Sequence, residues 1–154
     1  SNNGYSATKR TNTINKGVGP NGNYWCTYLA IDSYNLAGKR GTNVDTLGAV
    51  VNLIGYWKTT PGYVYLDFLN GNHTNILNQV KPGYAMFMQT SPGVFGDLDH
   101  AAIVKSININ SHGDGELITL NSNCPMIEIK YTFAGGNQVS AWTVAPIVGF
   151  GTVQ

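Results

Sequence analysis

Residues Ile127-Glu128-Ile129-Lys130-Tyr131-Thr132-Phe133 alternate strictly between apolar and polar side chains. This period of two is typical of a strand with one buried and one solvated face. A period of two begins at Pro82 and predicts strands over 84–89, 99–109, 116–120, 127–133, 139–145 and 147–150. Glycine-rich turns at Gly113-Asp114-Gly115 and Gly135-Gly136-Asn137 predict hairpins, so the strands are expected to pair antiparallel.

The first part of the chain has a different pattern. Residues 1–22 are broken up by glycine and proline and are interpreted as an irregular N-terminal segment. The spacing then predicts one helix over about 24–37 and a second that begins at Thr42 or Asn43 and ends before Pro61-Gly62. Residues 63–80 leave open a strand, a loop and a single helical turn.

Helices followed by hairpins indicate an α+β fold, in which N-terminal helices pack on an antiparallel sheet of about five to six strands. We expect one domain over 23–154, since 154 residues are enough for a single core.

Composition excludes several classes of function. The net charge is +1, and charged residues are 11 % of the chain, so no basic field for nucleic acid is present. No apolar run approaches the ~20 residues of a membrane span. A polarity supplied by asparagine, threonine, serine and tyrosine favours a secreted or cell-surface protein, which we expect to be a monomer.

Cys26 is the leading candidate for chemistry. It lies where the glycine-rich segment gives way to helical spacing, and a thiol at a helix N-terminus is favoured as thiolate. The second cysteine, Cys124, precedes Pro125 in a predicted loop. A disulfide between the two is possible, but the interpretation of Cys26 as a nucleophile favours two unpaired thiols.

A histidine and two asparagines on neighbouring strands complete the candidate site. His100 opens the strand 99–109, and Asn121 and Asn123 close the next one on a common face. A hairpin tip at Asn110-Ser111 would place Asn121 across from His100, whereas a tip at His112-Gly113 would bring Asn123 closer. The sequence alone leaves both registers open.

These residue types are those of a thiol hydrolase. The imidazole takes the thiol proton and returns it to the leaving amine, and the polar residue orients the ring. The amide of Cys26 and a side chain just upstream, such as Asn21, Asn23 or Tyr24, could stabilise the oxyanion. Such chemistry needs no cofactor, and the histidine and cysteine spacing does not favour a zinc site.

Four segments together resemble the CHAP family of cysteine, histidine-dependent amidohydrolases and peptidases, which belongs to the papain-like superfamily with the NlpC-type peptidases. They are Gly22 to Tyr28, Pro82 to Phe87, Asp99 to Val104 and Leu117 to Asn123. The closing residues Ile147-Val148-Gly149-Phe150 are also similar to the last strand of the family.

The resemblance implies a papain-like fold with Cys26 as nucleophile, His100 as base and Asn121 as the third catalytic residue. It places a further asparagine at Asn123, which we assign with Asn21 and Tyr24 to the binding of oxyanion and substrate. It also implies amide bonds of bacterial peptidoglycan, or another peptide, as the substrate. The alternatives are a non-catalytic cell-surface binding module and an acyl transferase that uses the same three residues.

Overall fold

The computed structural model describes residues 49–96, 98–121, 127–140 and 145–154. Its two helices are α1 (Val50–Thr59) and α2 (His73–Leu77) within those ranges. The strands are, in chain order, β1 (Tyr63–Asp67), β2 (Ala85–Met88), β3 (His100–Ile109), β4 (Gly115–Asn121), β5 (Ile127–Ala134), β6 (Asn137–Ser140) and β7 (Ile147–Val153).

The seven strands form one antiparallel sheet in the order β1-β7-β2-β3-β4-β5-β6. The chain therefore runs outward from β2 to β6 through hairpins, and β7 returns to insert between β1 and β2. The sheet curls into a half-barrel. Helix α1 packs on one face of the sheet and α2 on the opposite face.

The predicted α+β, papain-like arrangement of N-terminal helices on about five to six strands is wrong. The described part of the chain is mostly β, with seven strands and two short helices. The segment 63–67, which the sequence left undecided, is an edge strand because it pairs with β7 over its whole length. The predicted helix over 24–37 lies outside the described residues.

Helix α1 begins later than its apolar spacing predicts. Ala49 would be inside a helix that starts at Thr42 or Asn43, but its backbone is extended, with φ −88° and ψ 140°. From Val50 onward the spacing holds, and α1 buries Leu53, Ile54 and Trp57 against the sheet.

Helix α1 approaches the sheet closely because β7 presents glycine beneath it. A Cβ on Gly151 would lie 2.5 Å from Nε1 of Trp57. The indole is 1 % exposed, and its N–H donates to the carbonyl oxygen of Thr152 at 3.0 Å. A side chain at Gly151 is therefore excluded by the packing of α1.

The opposite face of the sheet holds the larger cluster of buried side chains. It is built from strands β2 to β5 and β7 together with α2 and the loops around it. Its members are Phe68, Ile76, Leu77, Val80, Met86, Met88, Val104, Leu117, Tyr131, Phe133, Ala145, Ile147 and Phe150. We call this side of the sheet the α2 face and the other side the α1 face.

A bulge in β3 changes which residues face the α2 side. Val104 pairs with Thr119 and Ser106 with Ile118, so Lys105 is an extra residue without a counterpart on β4. Simple alternation would place Val104 and Ile107 on opposite faces, yet both pack in the cluster of the α2 face. One inserted residue reverses the side-chain pattern of a strand, which is why alternation alone mispredicts β3.

Candidate functional site

His100 is the first residue of β3 and lies at the end of the sheet. It pairs directly with Met88 of β2, and directly paired residues project from the same face. Met88 belongs to the cluster of the α2 face, so His100 projects there as well. The side chain is half-buried, and Ala101 and Ala102 behind it are fully buried.

Asn121 ends β4 and meets His100. Oδ1 of Asn121 lies 2.7 Å from Nε2 of His100. Asn121 is 0 % exposed, although asparagine is usually a surface residue. A fully buried amide needs hydrogen-bond partners, and the imidazole supplies one of them. We call these two residues the His100–Asn121 pair.

The strand register that brings the pair together differs from the one the resemblance selects. Ile109 pairs with Gly115, and the amide of Asn110 donates to the carbonyl of Asp114, so the hairpin tip is centred near His112. The expected tip at Asn110-Ser111 is therefore wrong. Asn121 is not directly across from His100 but reaches it diagonally, as long side chains on neighbouring strands can.

The bulge at Lys105 makes this diagonal contact possible. On the side of the bulge that includes His100, Val104 pairs with Thr119. In that part of the sheet the odd-numbered residues of β4 therefore share a face with the even-numbered residues of β3. Without the extra residue, Asn121 would project from the face opposite to His100. The sequence analysis predicted a regular strand over 99–109 and did not predict this bulge.

Thr119 determines which way the Asn121 amide points. Nδ2 of Asn121 donates to Oγ1 of Thr119 at 3.0 Å and to its carbonyl oxygen at 3.3 Å. Thr119 is itself 0 % exposed, and its hydroxyl donates to the carbonyl of Ile129 at 3.4 Å. Because Nδ2 is the atom that contacts Thr119, Oδ1 is the atom that faces the ring.

The orientation of the amide sets the tautomer of the imidazole. Because Oδ1 can only accept, Nε2 of His100 must carry a hydrogen and donate it. In the neutral ring, Nδ1 then carries the lone pair and is the nitrogen that can take a proton. Sequence reasoning missed Thr119, although it lies two residues before Asn121 and therefore on the same face of the strand.

The surroundings of the pair favour the neutral ring. Burial lowers the pKa of His100 below its ordinary value of 6.5, and the hydrogen bond to Asn121 opposes that shift in part. Burial is the larger effect, because the hydration that the imidazolium loses is not fully replaced by the hydrogen bond to the neutral Asn121 amide. The neutral imidazole is therefore favoured over the imidazolium at this site.

Met88, which pairs with His100, and Tyr131, which contacts Met88, are uncharged residues of the same face. Both are 0 % exposed, and the hydroxyl of Tyr131 donates to Sδ of Met88 at 3.7 Å. Burial raises the pKa of Tyr131 to about 12, so the phenol stays protonated. Buried, uncharged surroundings strengthen a hydrogen bond because water does not compete for it.

The remaining predicted site residues are not described by the structure. Cys26, Asn21, Tyr24 and Asn123 all lie outside the described residues, as does Cys124. Their assignment rests on the sequence.

The other two histidines have separate surroundings. His73 stacks on Phe68 with ring centroids 4.1 Å apart, and its Nδ1 lies 3.2 Å from Oδ1 of Asn137. His112 is exposed at the tip of the β3–β4 hairpin. Within the described residues, no three histidine, cysteine, aspartate or glutamate side chains are grouped as metal ligands would be.

Comparison with models of protein families, with curated proteins and with solved structures yields no match for this chain. No helix in the described ranges combines the length and the apolar character that crossing a bilayer requires.

Proposed function

We propose that this protein is a cysteine hydrolase of amide or peptide bonds, with Cys26 as nucleophile, His100 as base and Asn121 as the orienting residue. One observation carries the proposal: Nε2 of His100 lies 2.7 Å from an Asn121 oxygen. Any buried histidine needs a hydrogen-bond partner, but here the partner is itself fixed by Thr119, so that the tautomer and the direction of the ring are both defined. A catalytic imidazole requires both, because its tautomer and its direction decide which nitrogen takes the proton.

The pair supports a complete sequence of proton transfers. Nδ1 of His100 takes the proton of the Cys26 thiol, and the thiolate sulfur attacks the carbonyl carbon of the substrate. The carbon–nitrogen bond then breaks, and the imidazolium returns the proton to the leaving amine. Water adds to the thioester with His100 again as base, which releases the acid and restores the thiol.

Asn121 differs from a carboxylate in what it contributes. Its neutral oxygen orients the ring but stabilises the imidazolium less than a negative charge would. Burial also lowers the pKa of His100, so it too disfavours the imidazolium. We infer an enzyme whose histidine becomes charged only transiently, during transfer of the thiol proton.

The substrate and location belong to the proposal as well. The resemblance of the four segments to CHAP amidases supports bacterial peptidoglycan, or a related peptide, as substrate. The low charge content supports a protein that is secreted or displayed at the cell surface. Asn21, Tyr24 and Asn123 are proposed to bind the oxyanion and the substrate.

Alkylation of the two thiols tests the nucleophile directly. Iodoacetamide labelling at pH 7, followed by mass spectrometry, should modify Cys26 at least tenfold faster than Cys124, because only Cys26 has a base. His100→Ala should reduce the rate at Cys26 to that of Cys124. His112→Ala is the matched control and should change neither rate. Equal slow labelling of both thiols, or a disulfide between them, would favour the non-catalytic binding module.

Turnover provides the second measurement. Release of new amino groups from peptidoglycan should disappear in Cys26→Ala and persist in Cys124→Ser, with both variants folded by circular dichroism. Activity that survives Cys26→Ala would refute the assignment. Incorporation of an added amine into the product would replace the hydrolase with an acyl transferase.

A further inference from the structure

The loop between β2 and β3, residues 89–99, ends directly at the proposed base. The ladder of β2 with β3 ends where Met88 pairs with His100. Beyond that pair the backbone of β2 turns away from β3, because the N–H of Gln89 donates to the carbonyl of Pro146 on the other side. His100 is therefore the last residue of β3 that this ladder holds, and the loop fixes its backbone from the N-terminal side.

Packing in the core holds this loop only weakly. Residues 90–95 are exposed. Even the apolar side chains of Val94, Phe95 and Leu98 are 60 %, 58 % and 57 % exposed. A loop whose side chains lie in solvent gains little from burial, so its position depends on hydrogen bonds.

Asp99 makes such bonds with both its side chain and its backbone. Oδ1 of Asp99 accepts from the backbone N–H of Thr90 at 3.0 Å, which joins the two ends of the loop. The backbone N–H of Asp99 donates to the carbonyl of Gly96 at 3.1 Å. Thr90 lies two residues after Met88, so the carboxylate links the two strands just beyond their last backbone pair.

Gly96 packs directly against this carboxylate. A Cβ on Gly96 would lie 2.8 Å from Oδ1 of Asp99 and 3.2 Å from its Cγ. Gly96 is not among the glycines with a positive φ, so its backbone would accept alanine and the contact with Asp99 is what excludes one. The carboxylate is thus held by the contact with Gly96 and by the bond from Thr90.

The bond that Asp99 makes indicates a geometric role rather than an electrostatic one. A carboxylate that acted on the imidazole would raise the pKa of His100. That pKa is lowered, with burial as the largest cause. The N–H of Thr90 needs an oxygen acceptor but not a charge, and an asparagine side chain supplies the same acceptor.

We propose that Asp99 is a positioning residue, which holds the backbone before His100 and thereby keeps Nε2 of the ring aligned with Asn121. Asp99 and His100 share a planar peptide unit, so a movement of one carries the other. A displacement of about 1 Å would break the 2.7 Å contact between Nε2 and Oδ1 of Asn121. The inference rests on the proposed function for its effect on turnover, whereas the alignment of the ring is independent of it.

The tautomer of neutral His100 tests the alignment without a substrate. The experiment uses the full chain with Cys26→Ala, so that the thiol does not affect the ring. ¹⁵N NMR of the imidazole, above the pH of its titration, distinguishes a hydrogen on Nε2 from one on Nδ1, and His100→Gln identifies the signals. The hydrogen should lie on Nε2 alone, because Asn121 accepts from that nitrogen.

Variants of the loop should change this result in a defined order. Asp99→Ala and Gly96→Ala should each give a mixture of the two tautomers, because one removes the acceptor of Thr90 and the other displaces it. Asp99→Asn should restore a single tautomer. Asp67→Ala is the matched control, since Asp67 also accepts hydrogen bonds from the loop that follows its strand, but on β1, and it should leave the tautomer unchanged.

Turnover of soluble peptidoglycan fragments, with Cys26 present, is the second measurement. Asp99→Ala should lower kcat about tenfold or more and change KM less than about twofold, because the base is misplaced while binding is kept. Asp99→Asn should recover the kcat of the wild type. A wild type without turnover would count against the hydrolase alone, since the tautomer experiment needs no activity. Gly96→Ala retains the carboxylate and replaces Asp99→Ala should that variant not fold.

Three results would each overturn the proposal. The first is a hydrogen that stays on Nε2 alone in both Asp99→Ala and Gly96→Ala. The second is an Asp99→Asn variant that behaves as Asp99→Ala does, which would mean that the charge matters. The third is an Asp67→Ala variant with as large a change of tautomer as Asp99→Ala.

Discussion

Replacement of Asn121 by alanine is expected to reduce the free energy of unfolding by about 3 kcal/mol. The side chain is fully buried, and its hydrogen bonds within the described residues include one with His100 and two from Nδ2 to Thr119. Alanine removes the acceptor of the imidazole N–H, and a buried donor left unpaired costs about 1–3 kcal/mol. The two weaker contacts with Thr119 and the small void add about 1 kcal/mol more. This is a large fraction of the ~5–15 kcal/mol stability of a typical domain.

Urea denaturation followed by tryptophan fluorescence measures the loss. Trp57 lies on α1, is buried against the sheet and reports separation of α1 from the sheet on unfolding. Asn108→Ala is the matched control, since Asn108 is exposed on β3 and its replacement should change stability by less than about 0.5 kcal/mol.

The pKa of His100 distinguishes loss of its hydrogen bond to Asn121 from a nonspecific loss of stability. The hydrogen bond with Asn121 raises the pKa of His100, so Asn121→Ala should lower the titration midpoint observed by NMR. Asn121→Asp should raise it, because a carboxylate stabilises the imidazolium. If the alanine variant loses less than about 1 kcal/mol and neither variant moves the midpoint, the reasoning about the pair is refuted.

Three further predictions concern the same framework. The free energy of unfolding should fall as the pH is lowered below 6.5, because the pKa of His100 is lower in the folded protein and the unfolded chain therefore binds more protons there. Urea denaturation between pH 7 and pH 5 measures this for the wild type and for His100→Gln. A wild-type stability that stays level over this range, and that does not differ from His100→Gln in its pH dependence, would contradict the prediction. Gly151→Ala should destabilise the protein by about 1–3 kcal/mol, because its Cβ would overlap the Trp57 indole, and an unchanged urea midpoint would show that α1 is packed less closely. Deletion of Lys105 should abolish turnover and the hydrogen bond of His100 together, since it removes the bulge; Lys105→Ala, which keeps the bulge, should retain both.

Much of the sheet can be predicted from the sequence. The alternation of β5 and the glycine turns before β4 and β6 are local signals, and the strands occur within a few residues of where these signals predict them within the described residues. His100 and Asn121 could also be predicted as candidate site residues, because each is a polar side chain at the end of an apolar strand.

The fold class was mispredicted for a physical reason. β1 carries two tyrosines on one face and ends at Asp67. All five of its residues are half-buried, so burial does not alternate along the strand. Its extended conformation is stabilised by pairing with β7, which is about eighty residues away in sequence, and no local pattern contains that contact. The start of α1 was likewise predicted too early, because apolar spacing indicates a helical face but not where a helix begins.

The sequence by itself determined the chemistry available to this protein: a thiol after a glycine-rich segment, a histidine at the head of one strand and an asparagine at the foot of the next. Only the tertiary structure decided that His100 meets Asn121, because a single extra residue at Lys105 sets the faces of β3 and β4. It also decided the tautomer of the ring, through a threonine that fixes the amide. Alternation is a local property of each strand, whereas register and hydrogen-bond direction depend on two strands packed together.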